Sequence, residues 1–131
     1  MPAIMIVDDS SVTRKVIKKH IKSGPYANVD LLEAGDGEQA LATYKSGAKI
    51  DVVLSDWNMP KMNGLEFVRG LREFESTSGV EEPVKIIMIT TEGTIDKVTQ
   101  AMESGVNEYI VKPFTADTLT KTLKKVLPLR V

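Results

Sequence analysis

The sequence predicts an α/β fold in which short buried strands alternate with amphipathic helices. Apolar runs such as residues 50–55 lack the alternation of a half-exposed strand, and such runs are typical of strands covered on both faces of a parallel sheet. Between the runs, apolar residues recur at helical spacing, as Val12, Val16 and Ile21 do among the lysines of the first helix. This alternation favours a parallel sheet with helices on both faces and right-handed crossovers.

Length and composition indicate one globular domain, residues 1–131, with 42% hydrophobic and 27% charged residues. The net charge of -1 gives no electrostatic reason to expect a nucleic-acid or membrane partner. No cysteine is present, which excludes disulfides and thiolate chemistry, and the lone His20 cannot build a metal site. The N-terminus lacks a signal peptide, and no apolar run reaches the roughly 20 residues that span a bilayer. We expect a cytoplasmic monomer.

The first three strands are predicted at residues 3–7, 29–32 and 50–55. Each is followed by a helical pattern that opens at side chains able to cap it: Ser10 or Ser11, Asp36 with Gln39, and Asn63 with Glu66. The last two pairs have the spacing of a capping box. Ser–Gly pairs mark the ends of the first two helices.

Two further units complete the chain, with strands predicted at residues 84–89 and 108–111. The polar residues 75–83 before them predict a loop that tolerates insertion. Apolar spacing after position 95 indicates the fourth helix. Thr115 is placed to cap the fifth, and Phe114 and Leu119 are placed to form a hydrophobic staple.

Five strand–helix units predict a flavodoxin-like, doubly wound sheet of five parallel strands in the order 2-1-3-4-5, with five helices. In that order the strands are added in opposite directions on either side of the boundary between the first and third strands. Open α/β sheets bind their ligands at such a boundary. The prediction therefore brings Asp8 and Asp9 beside Asp56.

Polar residues follow four of the predicted strands. Asp8 and Asp9 follow the first, Asp56 the third, Thr90 the fourth and Lys112 the fifth. A lone aspartate or lysine at such a position is ordinarily a solvated residue, but together these side chains converge on one crevice. Clustered carboxylates repel one another, and a hard divalent cation relieves that repulsion. With only oxygen ligands available, Mg²⁺ is the expected ion.

These residues resemble the motifs of bacterial two-component response-regulator receiver domains. The matching stretches are Val7-Asp8-Asp9-Ser10, Asp56-Trp57-Asn58-Met59-Pro60, Thr90-Thr91 and Lys112-Pro113-Phe114. The resemblance covers essentially the whole chain. The second stretch, together with Tyr109, resembles more narrowly the single-domain chemotaxis (CheY-like) type. Thr91 departs from that type, which often carries alanine there.

The resemblance implies that Asp56 accepts a phosphoryl group from a phosphohistidine on a chemotaxis-type sensor histidine kinase. It further implies that Asp9, Asp56 and the main-chain carbonyl of Asn58 ligate Mg²⁺, with Asp8 acting through water. The ammonium of Lys112 would neutralise charge on the transferring group. The family usually holds the bond between Lys112 and the following proline in the cis form.

The resemblance also implies a switch in which Thr90 moves inward and Tyr109 turns from an exposed to a buried rotamer. Asn58 and Glu92 occupy positions that modulate how water reaches the phosphoaspartate. A downstream protein, such as the flagellar motor switch, and a phosphatase are the implied partners. The expected docking face lies between the fourth and fifth helices and carries Lys97, Gln100, Tyr109, Lys121 and Lys125. Such a protein catalyses only its own phosphorylation and slow dephosphorylation.

Three other functions share parts of this pattern. A haloacid-dehalogenase-like phosphatase needs a second aspartate two residues after the nucleophile, where this chain has Asn58, which cannot protonate a leaving group. A flavodoxin-type carrier needs hydroxyl- and glycine-rich phosphate contacts where Asp8 and Asp9 stand. A phosphorylation-independent scaffold has little use for the whole acidic set. A receiver domain cut from a longer regulator also fits the sequence.

Overall fold

The structure, a computed structural model, describes residues 2–129. The strands are β1 (Ala3–Val7), β2 (Asp30–Ala34), β3 (Val52–Ser55), β4 (Lys85–Thr90) and β5 (Glu108–Val111). The helices are α1 (Ser11–Lys22), α2 (Gly37–Lys45), α3 (Gly64–Ser78), α4 (Ile95–Ser104) and α5 (Ala116–Val126). All the strand pairs are parallel, in the order β2-β1-β3-β4-β5, which confirms the predicted fold. Within the described residues, no helix combines the length and apolarity that crossing a membrane requires.

Two apolar layers flank the sheet because alternate strand residues face opposite sides. Met5 and Val7 pack with residues of α2, α3 and α4, whereas Ile4 and Ile6 pack with residues of α1 and α5. The central strands β1 and β3 are buried along their whole length, as their continuous apolar runs predict. The sheet is therefore a rigid support for the residues at its carboxyl edge.

The register of the sheet aligns the ends of β1 and β3. Val7 pairs with Ser55, so Asp8 and Asp56 leave neighbouring strands at the same level. The main-chain N–H of Asp56 donates to the carbonyl of Val7 at 3.0 Å. On the far side, Thr90 of β4 pairs with Val111, one residue before Lys112. The predicted site residues thus share one edge.

The predicted loop at residues 75–83 is wrong in its first half, because α3 continues through Ser78 to a left-handed cap at Gly79. Glu75 lies in this last turn and is buried. Its carboxylate accepts hydrogen bonds from the Tyr44 hydroxyl, the Arg72 guanidinium and the main-chain N–H of Val84. Two of these partners lie on other segments of the chain, so local polarity gave a misleading signal.

The second strand was predicted at residues 29–32 and is observed at Asp30–Ala34. All five of its residues pair with β1, from Ala3 with Asp30 to Val7 with Ala34. This pairing, rather than the apolar run, sets the end of the strand. Glu33 therefore lies within β2, where its carboxylate pairs with Arg14 and Lys18 of α1.

Helix caps largely follow the prediction. Ser10, not Ser11, caps α1 by accepting from the N–H of Thr13. Asn63 and Glu66 form a complete capping box at the start of α3, and Thr115 caps α5. The box predicted at α2 is only half formed, because the Gln39 side chain accepts from Gly35 instead of Asp36. Phe114 and Leu119, placed for a staple, belong to the same apolar cluster.

Candidate functional site

Asp8, Asp9 and Asp56 form an acidic cluster at the carboxyl edge of the sheet. One carboxylate oxygen from each lies within 4.8 Å of the others. Asp8 is buried, Asp56 is half-buried and Asp9 is exposed, so the cluster opens to solvent on one side. The prediction that β1 and β3 bring these three side chains together is confirmed by this geometry.

Asp8 is the most buried of the three aspartates in the cluster. Its Oδ1 accepts the main-chain N–H of Ser10 at 2.8 Å, and its Oδ2 lies 3.4 Å from the Lys112 ammonium. Burial raises the pKa of Asp8, and the nearby charge of Asp56 adds to the rise, although Ser10 and Lys112 oppose it. A further positive charge at the cluster would therefore be stabilising.

Asp56 is held by its own turn and by Lys112. Its Oδ1 accepts the N–H of Trp57 at 2.7 Å, and its Oδ2 lies 3.6 Å from the Lys112 ammonium. One lysine thus spans the carboxylates of Asp8 and Asp56. The bond between Lys112 and Pro113 is cis, as expected from the resemblance.

Gly64 is a part of the site that sequence reasoning missed. The turn after β3 packs so tightly on the start of α3 that a Cβ at Gly64 would lie 2.2 Å from the main-chain oxygen of Asp56. The Gly64 N–H also donates to the carbonyl of Trp57 at 2.7 Å. A glycine directly after the capping residue Asn63 was the available signal.

The turn after β4 gathers the other predicted residues. Thr90 is fully buried, and its hydroxyl oxygen accepts the N–H of Glu92 at 3.3 Å. The Asn58 amide donates to the Glu92 carboxylate at 3.4 Å. The Tyr109 hydroxyl donates to the main-chain oxygen of Glu92. Glu92 therefore connects three residues that the sequence placed on separate elements, while Thr91 is exposed.

Tyr109 is half-buried against the apolar layer that contains α4. Burial raises the pKa of its hydroxyl, and the charges of Glu92 and Asp56 contribute further. The phenol is therefore neutral and acts as a hydrogen-bond donor. In this structure the Tyr109 side chain is held by the hydrogen bond from its hydroxyl to the main-chain oxygen of Glu92.

Of the predicted docking residues, Lys97 lies in α4, and Lys121 and Lys125 lie in α5. Lys97 lies over the ring of Trp57, 5.0 Å from its centre, and so links α4 to the turn after β3. Lys121 pairs with Asp117 at 3.1 Å, and Lys125 pairs with Glu108 at 3.7 Å. Ile95, at the start of α4, is 84% exposed.

The donor set fits Mg²⁺. The cluster offers only oxygen atoms, and this hard cation prefers carboxylate, carbonyl and water oxygens. The open side next to Asp9 leaves room for the waters that Mg²⁺ retains.

Comparison with known proteins identifies the family. The sequence model of the response regulator receiver domain family matches residues 4–124 of this chain. The chain belongs to this family, whose members generally use Mg²⁺ at an acidic pocket and work with histidine kinases or phosphotransfer proteins.

Within the family, the chain is similar to chemotaxis proteins. It is 44% identical to the chemotaxis protein CheY1 of Helicobacter pylori over 124 residues, covering 95% of each chain. It is 37% identical to CheY of Pseudomonas aeruginosa over 123 residues, covering 94% of each. The crystal structure of the chemotaxis response regulator CheY4 of Vibrio cholerae superposes with a TM-score of 0.82 at 36% identity, over 97% of this chain and 99% of that one. These similarities do not favour the alternative that the chain is a haloacid-dehalogenase-like phosphatase.

Proposed function

We propose that this protein is a phosphorylation-activated switch of bacterial chemotaxis in which Asp56 accepts the phosphoryl group. The observation that carries the proposal is the position of Asp56. Its carboxylate belongs to the acidic cluster, is partly open to solvent and lies 3.6 Å from the Lys112 ammonium. The similarity to chemotaxis proteins supports the biological process.

The residues around Asp56 supply what an acyl phosphate needs in order to form. An oxygen of Asp56 attacks the phosphorus of a phosphohistidine, the phosphorus–nitrogen bond breaks, and its electron pair returns to the imidazole. A carboxylate is a weak nucleophile toward an anionic donor, so charge on the phosphoryl group must be neutralised. The Lys112 ammonium would do this from its place beside Asp56, and Mg²⁺, when held by the acidic cluster, would supply further Lewis-acid charge neutralisation.

Asp9, Asp56 and the main-chain carbonyl of Asn58 are the proposed direct ligands of Mg²⁺. Asp8 is the proposed outer ligand, acting through water. The difference in exposure supports this division, because the buried Asp8 already accepts from Ser10 while Asp9 faces solvent.

Phosphorylation would be sensed at Glu92. Thr90 is proposed to move inward and donate its hydroxyl hydrogen to a phosphoryl oxygen, and this movement would draw its oxygen away from the N–H of Glu92. The carbonyl of Glu92 holds Tyr109, so the change at Thr90 reaches the face between α4 and α5. A ligand shifts a two-state element only if it contacts the two states differently, and Thr90 and Lys112 provide that difference.

Asn58 and Glu92 are proposed to modulate dephosphorylation, because Asn58 is exposed to solvent, Glu92 is partly exposed, and the two side chains contact each other. The proposed partners are a sensor histidine kinase, a downstream target such as the flagellar motor switch, and a phosphatase. Turnover of a separate substrate is not part of the proposal. A single domain over residues 1–131, a monomeric state and a cytoplasmic location stay predictions.

The test combines intact mass with Trp57 fluorescence, because Trp57 directly follows the acceptor. We expect Mg²⁺ to perturb the fluorescence, and acetyl phosphate to add phosphoryl mass together with a reversible fluorescence change. Both effects of acetyl phosphate should be absent in Asp56→Asn and present in Asp117→Asn, a matched change on exposed α5. Binding of Mg²⁺ without phosphoryl mass on the unaltered protein would contradict the proposal.

A further inference from the structure

A guanidinium outside the acidic cluster holds the turn that carries two of its carboxylates. Arg14 lies in the first turns of α1, and its side chain is only 18% exposed. Its Nη1 donates to the main-chain oxygen of Asp8 at 2.5 Å, while its Nε donates to the Glu33 carboxylate at 3.0 Å. Arg14 thus joins the end of β1 to β2.

Glu33 fixes the orientation of Arg14. Its second carboxylate oxygen accepts from Lys18 at 2.8 Å. Hydrogen bonding from Lys18, followed by that from Arg14, lowers the pKa of Glu33, so the carboxylate remains charged. A planar guanidinium with one edge on a charged carboxylate and another donor on a carbonyl has little rotational freedom. The Asp8 N–H donates to the carbonyl of Ala34 at 3.2 Å and provides a second connection to β2.

We propose that Arg14 is a positioning residue for the cation site, and the inference rests on the metal site proposed above. The oxygen that Arg14 binds belongs to the peptide group joining Asp8 to Asp9, so Arg14 sets the plane of that group. Within residues 2–129, the Asp9 carboxylate accepts no hydrogen bond of its own. Its placement therefore depends on the main chain, and the main chain depends on Arg14.

Charge alone predicts the opposite effect. A cation beside three carboxylates repels a second cation, so removal of Arg14 would tighten Mg²⁺ binding if only Coulomb interactions mattered. If Arg14 acts by positioning, its removal weakens binding despite the loss of a positive charge. The sign of the change therefore separates the two effects.

Lys18 provides the matched control. It shares Glu33 with Arg14 and carries the same charge, but its ammonium donates to Glu33 and not to Asp8. Lys18→Met removes the same charge but leaves the two partners of Arg14, the Asp8 carbonyl and the Glu33 carboxylate, in the chain. Arg14→Lys keeps the charge but loses the planar fork, so it measures positioning nearly alone.

The experiment titrates Mg²⁺ against Trp57 fluorescence at constant ionic strength. We expect Arg14→Met and Arg14→Lys to weaken binding by about 10-fold, as is typical when a group that orients a ligand is removed. Lys18→Met should bind as well as the unaltered protein, or slightly more tightly. Equal or tighter binding by Arg14→Met would overturn the inference while leaving the proposed function intact. If the unaltered protein binds no Mg²⁺, the metal site itself and this inference are both wrong.

A second measurement does not depend on the cation or on full stability of the Met variant. In Mg²⁺-free protein, the main-chain amide resonances of Asp9 and Ser10 should shift in Arg14→Lys and stay in place in Lys18→Met. Glu33→Gln, which loosens the anchor but keeps Arg14, should give shifts in the same direction as Arg14→Lys and a smaller loss of Mg²⁺ affinity. Unshifted Asp9 and Ser10 resonances in Arg14→Lys would contradict positioning.

Discussion

At the scale of single residues, Gly64 sets how closely α3 approaches the turn that carries Asp56, the proposed phosphoacceptor. A Cβ there would lie 2.2 Å from the Asp56 oxygen and 2.9 Å from the Cα of Trp57, both main-chain atoms that cannot rotate away. We expect Gly64→Ala to lower the free energy of unfolding by about 1–3 kcal/mol, the usual cost of overpacking. Phosphorylation by acetyl phosphate should slow as well, because the turn that carries Asp56 must shift.

Gly70 is the matched control for Gly64, since both lie in α3. A Cβ at Gly70 would meet only the end of the Leu41 side chain, at 3.2 Å, and that side chain can adjust. Urea unfolding of the two alanine variants gives the comparison. Equal stability of Gly64→Ala and Gly70→Ala would show that the turn has more room than the structure indicates.

Tyr44 gives a pH-dependent prediction at the same scale. Burial, then the hydrogen bond to Glu75 and its charge, raise the pKa of Tyr44 from 10.0 to about 12. Because the folded pKa lies above the unfolded one, the protonated hydroxyl stabilises the fold fully below pH 10. This contribution is lost as the pH rises through about 12.

The measurement for Tyr44 is the free energy of unfolding of the unaltered protein and of Tyr44→Phe as a function of pH. Near neutral pH we expect Tyr44→Phe to be less stable by about 1.5–3 kcal/mol, because the buried Glu75 carboxylate loses one donor. Between pH 10 and pH 12 the difference should shrink, because the Tyr44 phenol ionises in the unfolded chain from about pH 10 but stays protonated in the folded chain until about pH 12. A difference that stays constant over this range would contradict the raised pKa.

Sequence reasoning found the residues whose position follows from a strand end. Asp8, Asp56 and Lys112 each come directly after a strand, and parallel topology alone brings them to one edge. The roles of Arg14 and Glu75 were missed, because they depend on the distant partners Glu33 and Tyr44, which lie 19 and 31 positions away in the chain. A charged residue in a helical pattern has the same local signal whether it is solvated or buried in a network.

At the scale of the elements, capping residues predicted helix starts better than composition predicted helix ends. Asn63 and Glu66 have the spacing of a capping box, and both of its hydrogen bonds are present. The end of α3 was placed too early because Glu75 and its polar neighbours have the composition of a loop. The glycine cap at Gly79 was the more reliable signal, since its φ of 70° lies in the left-handed region.

The capping box gives the prediction for α3. Asn63→Ala removes the acceptor for the N–H of Glu66, so we expect the free energy of unfolding to fall by about 1 kcal/mol. Glu66→Gln keeps an acceptor for the N–H of Asn63 and should cost much less. Urea unfolding of both variants checks this. A similar loss in both would show that the charge of Glu66 matters more than the cap.

At the scale of the whole molecule, repulsion among carboxylates at the carboxyl edge of the sheet lowers the stability of the fold. The parallel sheet brings three carboxylates within 4.8 Å, and one ammonium, that of Lys112, reaches two of them. Like charges at this distance oppose folding. A site that binds a cation only when folded couples its occupancy to the stability of the entire domain.

This coupling predicts opposite effects of one substitution with and without Mg²⁺. Without the ion, Asp9→Asn should raise the thermal midpoint, because the exposed Asp9 contributes repulsion and has no hydrogen bond to lose within residues 2–129. With Mg²⁺ at about a hundredfold excess over its dissociation constant, the unaltered protein should gain about 2.7 kcal/mol, and Asp9→Asn should gain much less. Asp30→Asn, an equal change of charge at the far end of β2, should retain the full gain. The measurement is thermal unfolding at matched ionic strength. A lower midpoint of Asp9→Asn without Mg²⁺ would show that charge repulsion does not destabilise this edge of the sheet. An unreduced stabilisation of Asp9→Asn by Mg²⁺ would show that Asp9 is not a ligand.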